Sequence, residues 1–284
     1  MTSVGNKYIK ISSPSPHVLL LELNRQPVNA FSAEFWNEYG CTFDALARHP
    51  DDIRAVVLSS ALPKVFTAGI DFQGLMKLGA GEAAMDPARR ALLTRDDILD
   101  IQHAIAAPER CPIPVIAAVH GIVIGLGIDI ISACDVRYTA SDARFSIKEV
   151  DMGLAADVGT LAHLPKITGN HSLARELAFT GRTFSSDEAE KLGLVSRVVE
   201  GGRDAVVTVA LQLAKDIASK SPVAVIGTKH LLLHARDHSV AENLQYTATW
   251  NSAALQATDL EQAVKAGMAK LKGSPTFLPL RPKL

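Results

Sequence analysis

Three cysteines in 284 residues, Cys41, Cys111 and Cys134, are too few and too scattered for a disulfide scaffold or a thiolate metal site. They fit a reducing compartment. A basic excess is also missing. The chain has 29 Lys and Arg against 30 Asp and Glu, a net charge of −1, which argues against a dedicated nucleic-acid binder. Residues 1–16 hold no apolar core of signal-peptide type. The longest apolar stretch, Ile113 to Ile131, reaches bilayer-spanning length, but Pro114, His120, Asp129 and three glycines interrupt it. It reads as buried strand, turn and helix, with no membrane span. There is no fixed-period repeat, no G-x-S-x-G elbow, no H-E-x-x-H motif and no Walker loop. A serine hydrolase of the elbow type and a bound metal are therefore not implied.

Hydrophobic residues make up 48% of the chain and charged residues 21%, enough for a large core. At ~150 residues per domain, the length suits two domains or one large one. Strand-like segments (His17 to Leu23, Ile53 to Leu58, Val65 to Gly69, Pro114 to His120, Asp135 to Thr139, Arg144 to Ile147) alternate with helical ones up to about residue 200. Ser32 is a candidate N-cap for a helix carrying Phe35, Trp36, Tyr39, Phe43 and Leu46. Ala91 to Ala107 reads as a second helix, and Gly121 to Ala133 as a turn leading into a third. This alternation predicts an α/β core with parallel pairing over residues 1–200. Residues 201–284 read as a helical region for packing or oligomerisation, with apolar stripes in Asp204–Lys220, Pro222–His234, Val240–Leu255 and Asp259–Leu271. Gly79 to Arg90 reads as a mobile loop.

Three segments could carry chemistry. Phe66-Thr67-Ala68-Gly69-Ile70-Asp71 joins a strand to a helix. Small residues there allow close backbone approach, and a free N–H can stabilise an oxyanion. A tight turn capped by Asp71 would need the same residues. His120 to Asp129 is a glycine-rich turn after a buried strand. Its spacing is not that of a dinucleotide fingerprint, and it offers either a second oxyanion donor or close helix–strand packing. His120, at a strand end, reads as structural. In the run Lys148 to Thr160, Asp157 lies among Leu154, Ala155, Ala156 and Val158, where desolvation would raise its pKa, and Glu149 precedes it across a glycine turn. Two carboxyls converging on one pocket suit proton removal at one carbon and delivery at another. The plainer alternatives are a helix cap for Asp157 and a solvated ion-pair partner for Glu149.

In this order and at these spacings, the segments resemble the enoyl-CoA hydratase/isomerase (crotonase) superfamily, over about Val18 to Lys272. Lys148 to Gly159, Ser132 to Tyr138 and Ala235 to Val240 further resemble the delta(3,5)-delta(2,4)-dienoyl-CoA isomerase branch. That branch carries three acids in its site, and Asp129, Glu149 and Asp157 stand at the matching positions. Hydratases are similar at the first two and generally lack the third. The resemblance implies an α/β crotonase-like spiral of ββα units with a helical C-terminal region. Ile70 and Leu126 would form the oxyanion hole, with Ala68, Gly69, Ile70, Asp71, Phe72 and Leu126 binding substrate.

The implied reaction moves the double bonds of 3,5-dienoyl-CoA to 2,4-dienoyl-CoA in fatty-acid β-oxidation. Glu149 would take a proton from carbon 2, Asp157 would protonate carbon 6, and Asp129 would orient or tune them. Exchanging base and acid satisfies the sequence equally well. No cofactor or metal is implied, because CoA belongs to the substrate. An enoyl-CoA hydratase using Asp129 and Glu149 on water, and a non-catalytic acyl-CoA-binding scaffold, are the competing readings. The resemblance also implies a homotrimer or homohexamer. The ending Pro282-Lys283-Leu284 is similar to the peroxisomal Ser-Lys-Leu address, which predicts an import-receptor partner and a peroxisomal location, with mitochondrion or cytoplasm as alternatives.

Overall fold

Strand β2 (Val18–Leu23) is apolar everywhere except Glu22, because both of its faces are covered. Side chains alternate across a strand, so Val18 and Leu20 face one way and Leu19, Leu21 and Leu23 the other. The computed structural model describes residues 6–72, 85–269 and 275–280. It begins with β1 (Ile9–Ser15), which pairs antiparallel with β2 and is followed by helix α1 (Ala33–Arg48). The polar sequence of β1 and its exposure hide it from a hydrophobic-run reading. Helix α1 starts after Ser32 as expected, although the Ser32 side chain makes no capping hydrogen bond.

The next strands come in pairs. β3 (Ala55–Ser60) is followed by β4 (Val65–Thr67), β5 (Val115–Val119) by β6 (Ile122–Ile124), and β7 (Val136–Ala140) by β8 (Arg144–Ser146). Within each pair the first strand joins one sheet and the second joins another. Among the described residues, the larger sheet runs β1-β2-β3-β5-β7-β10, with β10 at Arg197–Val199. The smaller runs β4-β6-β8-β9, with β9 at Phe184–Ser185. Every pairing from β2 to β10 is parallel, as is β4-β6-β8.

Helices follow the strand pairs: α2 (Pro87–Ile105) and α3 (Ala107–Arg110) after β4, α4 (Leu126–Ser132) after β6, and α5 (Thr160–Ile167) and α6 (His171–Thr180) after β8. α7 (Ser186–Leu192) then links β9 to β10. The Gly79–Arg90 stretch lies largely outside the described residues. Its end is already the first turn of α2, where the Asp86 carboxylate accepts from the amides of Ala88 (3.0 Å) and Arg89 (3.1 Å). The segment read as one turn and helix from Gly121 is a short strand and then a helix, because Ile122–Ile124 pairs with both neighbours.

Beyond residue 200 come α8 (Arg203–Ala218), α9 (Pro222–Ala235), α10 (Val240–Ala254) and α11 (Thr258–Met268). Helix α8 lays Val206, Val207, Ala210, Ala214 and Ala218 against Val18, Leu20, Val57 and Ile116 of the large sheet, sealing its outer face. Among the described residues, no helix is long and apolar enough to cross a membrane. The long apolar run resolves into β5, β6 and α4.

Candidate active site

In the small sheet, β4, β6 and β8 run parallel and in near register, with Val65 opposite Ile122 and Ile124 opposite Ser146. Their C-terminal ends therefore open at one edge, which is where parallel sheets place ligands. The residues that follow are Ala68-Gly69-Ile70 after β4, Gly125-Leu126 after β6 and Lys148-Glu149 after β8. Each is one of the three segments singled out in the sequence. Parallel pairing thus gathers residues that lie up to 81 positions apart in the chain.

A cavity of about 300 Å³ lies at this edge. Ala68, Gly69, Ile70, Phe72, Leu126, Asp129, Glu149 and Asp157 all line it. Gly69 has φ +93°, and a Cβ there would stand 2.9 Å from the Ile124 carbonyl oxygen and 3.7 Å from the Leu126 nitrogen. A side chain would therefore force apart the two strand ends that carry Ile70 and Leu126. Phe31 donates to the Gly69 carbonyl at 2.8 Å, and Asp71 donates to the Phe31 carbonyl at 2.9 Å. This holds the segment while leaving the Ile70 amide out of the bridge. Leu126 opens α4, so its amide has no intrahelical partner. Among the described residues, neither amide donates to a protein acceptor.

The carboxyls differ in setting. Asp129 is 2% exposed and accepts from the Thr160 amide at 2.5 Å. Burial pushes its pKa up to about 6 against the pull of that hydrogen bond, and the Asp157 charge adds to the rise. Glu149 begins a 3-10 turn (Glu149–Met152), and its Oε1 stands 3.1 Å from where a Cβ on Gly125 would be. Its Oε2 is buried without a hydrogen-bond partner. Burial, reinforced by the charges of Asp129 and Asp157, pushes Glu149 up to about 7. A carboxyl that titrates near neutrality in a cavity is suited to accepting and returning protons. Among the described residues Glu149 makes no ion pair: its Oε2 is buried, and its neighbour Lys148 pairs with Asp151.

Two expectations need correction. Asp157 lines the cavity but is exposed rather than desolvated. The small residues around it do not shelter it, because the segment is irregular: Ala156 turns inward, Leu154 and Val158 are half-buried, and Ala155 points to solvent. Nor does Asp157 cap α5, whose N-cap is Gly159; the Asp129 carboxylate serves the first amide of that helix instead. Asp71, expected to bind substrate, is not among the residues lining the cavity. Its carboxylate pairs with the Arg25 guanidinium at 2.8 Å. The fate of His120 fits its structural reading: it is fully buried, pairs through Nε2 with the Leu62 carbonyl at 2.8 Å, and has its pKa lowered by burial.

The sequence reading missed the opposite wall of the cavity. Thr94, Ile98 and Ile101 of α2 line it, together with Ile124, Met152, Leu154 and Val158. The spacing of four and three along α2 puts the first three on one helix face, but nothing local says what that face meets. A more open groove of about 440 Å³ runs along α8 and α9. Lys229 and Asp135 in its lining pair with each other at 2.7 Å, and Asp216 and Lys220 also line it. Among the described residues no group of His, Cys, Asp and Glu could hold a metal ion.

Residues 15–277 match the enoyl-CoA hydratase/isomerase family, and the chain belongs to it. Among its relatives, the mitochondrial delta(3,5)-delta(2,4)-dienoyl-CoA isomerase of Mus musculus is 49% identical over 263 residues, covering 92% of this chain and 80% of the relative. The peroxisomal delta(3,5)-delta(2,4)-dienoyl-CoA isomerase of Arabidopsis thaliana is 44% identical over 284 residues, covering 99% of this chain and 100% of the relative. The fold matches the crystal structure of enoyl-CoA hydratase from Bacillus anthracis with a TM-score of 0.84 at 27% identity, covering 95% of this chain and 99% of the other.

Proposed function

We propose that the chain is a delta(3,5)-delta(2,4)-dienoyl-CoA isomerase. The observation that carries this reading is one cavity lined by Ile70 and Leu126, whose amides are free, and by three carboxyl side chains, Asp129, Glu149 and Asp157. The names of relatives at 44–50% identity support it. The thioester oxygen accepts from the Ile70 and Leu126 amides, which acidifies carbon 2. Glu149, beside Gly125 and so beside the Leu126 amide, removes a proton from the adjacent carbon 2. The electron pair moves along the conjugated chain, Asp157 delivers a proton to carbon 6, and the double bonds pass from 3,5 to 2,4. The proton left on Glu149 then returns to Asp157, so the cycle balances without a cofactor. Asp129, held by the Thr160 amide, sets the field in which Glu149 titrates.

The decisive assay follows 3,5-dienoyl-CoA conversion by absorbance. Glu149→Gln and Asp157→Asn are each expected to lower kcat by ~10²–10⁴. Unchanged turnover in both would remove the proton-shuttle assignment. Fast hydration of 2-trans-enoyl-CoA without dienoyl conversion would make the chain a hydratase instead.

The assembly we propose is a homotrimer or homohexamer. Leu232, Val240, Leu244 and Met268 on the last helices are between 64% and 81% exposed in the single chain, as subunit contacts would require. A monomeric mass in solution would refute it. For location we propose the peroxisome, read by an import receptor from Pro282-Lys283-Leu284, which lies outside the described residues. The Arabidopsis relative is named peroxisomal and the mouse relative mitochondrial. A tagged protein that keeps its location after loss of the last three residues would exclude this address.

A further inference from the structure

The deeply placed Asp129 depends on a set of charged side chains that the proton shuttle itself does not use. The Thr160 amide that grips Asp129 is the first of α5, and the residue before it, Gly159, packs close to the Asp129 Cβ. One turn along α5, His163 folds back so that Nδ1 lies 3.0 Å from the Gly159 carbonyl oxygen. On its other side, Nε2 lies 3.0 Å from Oε2 of Glu109 on α3. Glu109 in turn accepts from both terminal nitrogens of Arg236, at 2.5 and 3.0 Å, just past the end of α9.

The donor and acceptor count points to a charged His163. A carbonyl oxygen only accepts. A carboxylate held by a forked guanidinium stays ionised and also only accepts. With both imidazole nitrogens facing acceptors, the arrangement favours the imidazolium. The direction of each pKa agrees. Burial works against the Glu109 anion, yet hydrogen bonds from His163 and Arg236 hold it down to about 2, and the Glu109 hydrogen bond raises His163. The charged groups facing the ring are Glu109 and Arg236, with Asp129 across Gly159; Lys166 and Asp237 pair with each other at 2.9 Å further along α5. The side chains of His163 and Glu109 are only 13% and 20% exposed, so the ring is largely shielded from solvent.

We propose that His163, held as an imidazolium by Glu109, whose carboxylate Arg236 grips in turn, is a positioning residue. It fixes Gly159 so that the Thr160 amide meets Asp129, and its charge favours the ionised form of Asp129. Through the coupling of Asp129 to Glu149, it sets the pH range in which the shuttle works. This rests on the isomerase reading only for its effect on turnover.

The test pairs NMR titration of the free protein with a kcat–pH profile on 3,5-dienoyl-CoA. In the wild type, the His163 ring signals are those of the doubly protonated form at pH 7, and in Glu109→Gln the ring titrates at lower pH. In His163→Gln, kcat below pH 7 falls about three- to tenfold, KM changes less than about threefold, and the acid limb moves up by roughly half to one pH unit. The upward sign follows because loss of a cation raises the pKa of the carboxyls it faced. A ring that is neutral at pH 7 in the wild type would overturn the proposal. So would a His163→Gln loss that is uniform across pH. If the wild type does not convert the dienoyl substrate, the isomerase reading falls alone. The titration of the Asp129 carboxyl carbon then decides: a higher midpoint in His163→Gln upholds the link, and an unchanged one refutes it.

Discussion

The two sheets are built from the same paired strands, yet they carry different burdens. The central strands of the large sheet, β2, β3 and β5, are buried on both faces, with Leu21, Leu23, Val56 and Val57 essentially inaccessible, and its strands between β2 and β7 are five or six residues long. In the small sheet, β4, β6 and β8 are three residues each, and two of them run into glycines with positive φ, Gly69 and Gly125. Short strands with unpaired terminal amides would be marginal alone. They persist because each is tied through a few residues to a long strand of the large sheet. Stability resides in one layer, and the other is free to end in groups that await a ligand.

Matched lesions in the two layers test this contrast. Gly69→Ala places a methyl group 2.9 Å from the Ile124 carbonyl at a φ unfavourable for any other L residue. It is expected to lower kcat on 3,5-dienoyl-CoA by ~10²–10³, as when an oxyanion donor is lost. A change of less than threefold would mean that the thioester oxygen does not rest on the Ile70 amide. Leu21→Ala in β2 does the reverse. It should cost ~2–5 kcal/mol in urea unfolding, while kcat per folded molecule stays unchanged. A parallel loss of kcat would show that the layers are less separate than described.

The smallest effect sharpens the comparison. Glu149 titrates at about 7 in the folded chain against an ordinary 4.5. Between those values the folded state binds more protons than the unfolded, so this contribution to stability is complete below pH 4.5 and is lost as pH rises through 7. Glu149→Gln lacks the titration. Its melting temperature should match the wild type at pH 4.5 and exceed it at pH 8, by ~2–4 °C for each kcal/mol of that contribution. A constant difference across pH would contradict the burial of this carboxyl.

Much of this architecture is written locally. The apolar runs of β2, β3 and β5 declare a sheet covered on both faces, and the glycine-marked turns after β4 and β6 declare close backbone approach. What escapes local reading depends on distant partners. Asp71 is turned from the cavity by Arg25, forty-six residues earlier. The shelter expected for Asp157 fails because alternation of small residues predicts burial only in a regular element, and residues 153–159 form none. Helix α2 reads as amphipathic, but that its Thr94, Ile98 and Ile101 would wall a cavity follows only once the small sheet is placed. The partnership of Glu109, His163 and Arg236 spans 127 positions, and no spacing rule reaches that far.

The hold proposed for the thioester belongs to peptide N–H groups, which every residue but proline supplies. Codons 70 and 126 can therefore drift among many amino acids without surrendering the anchor. The carboxyls enjoy no such tolerance, since a single base change erases each. A lineage that starts from this scaffold can exchange one acid at a time, acquiring a different reaction while its grasp of the acyl group persists through every intermediate genotype.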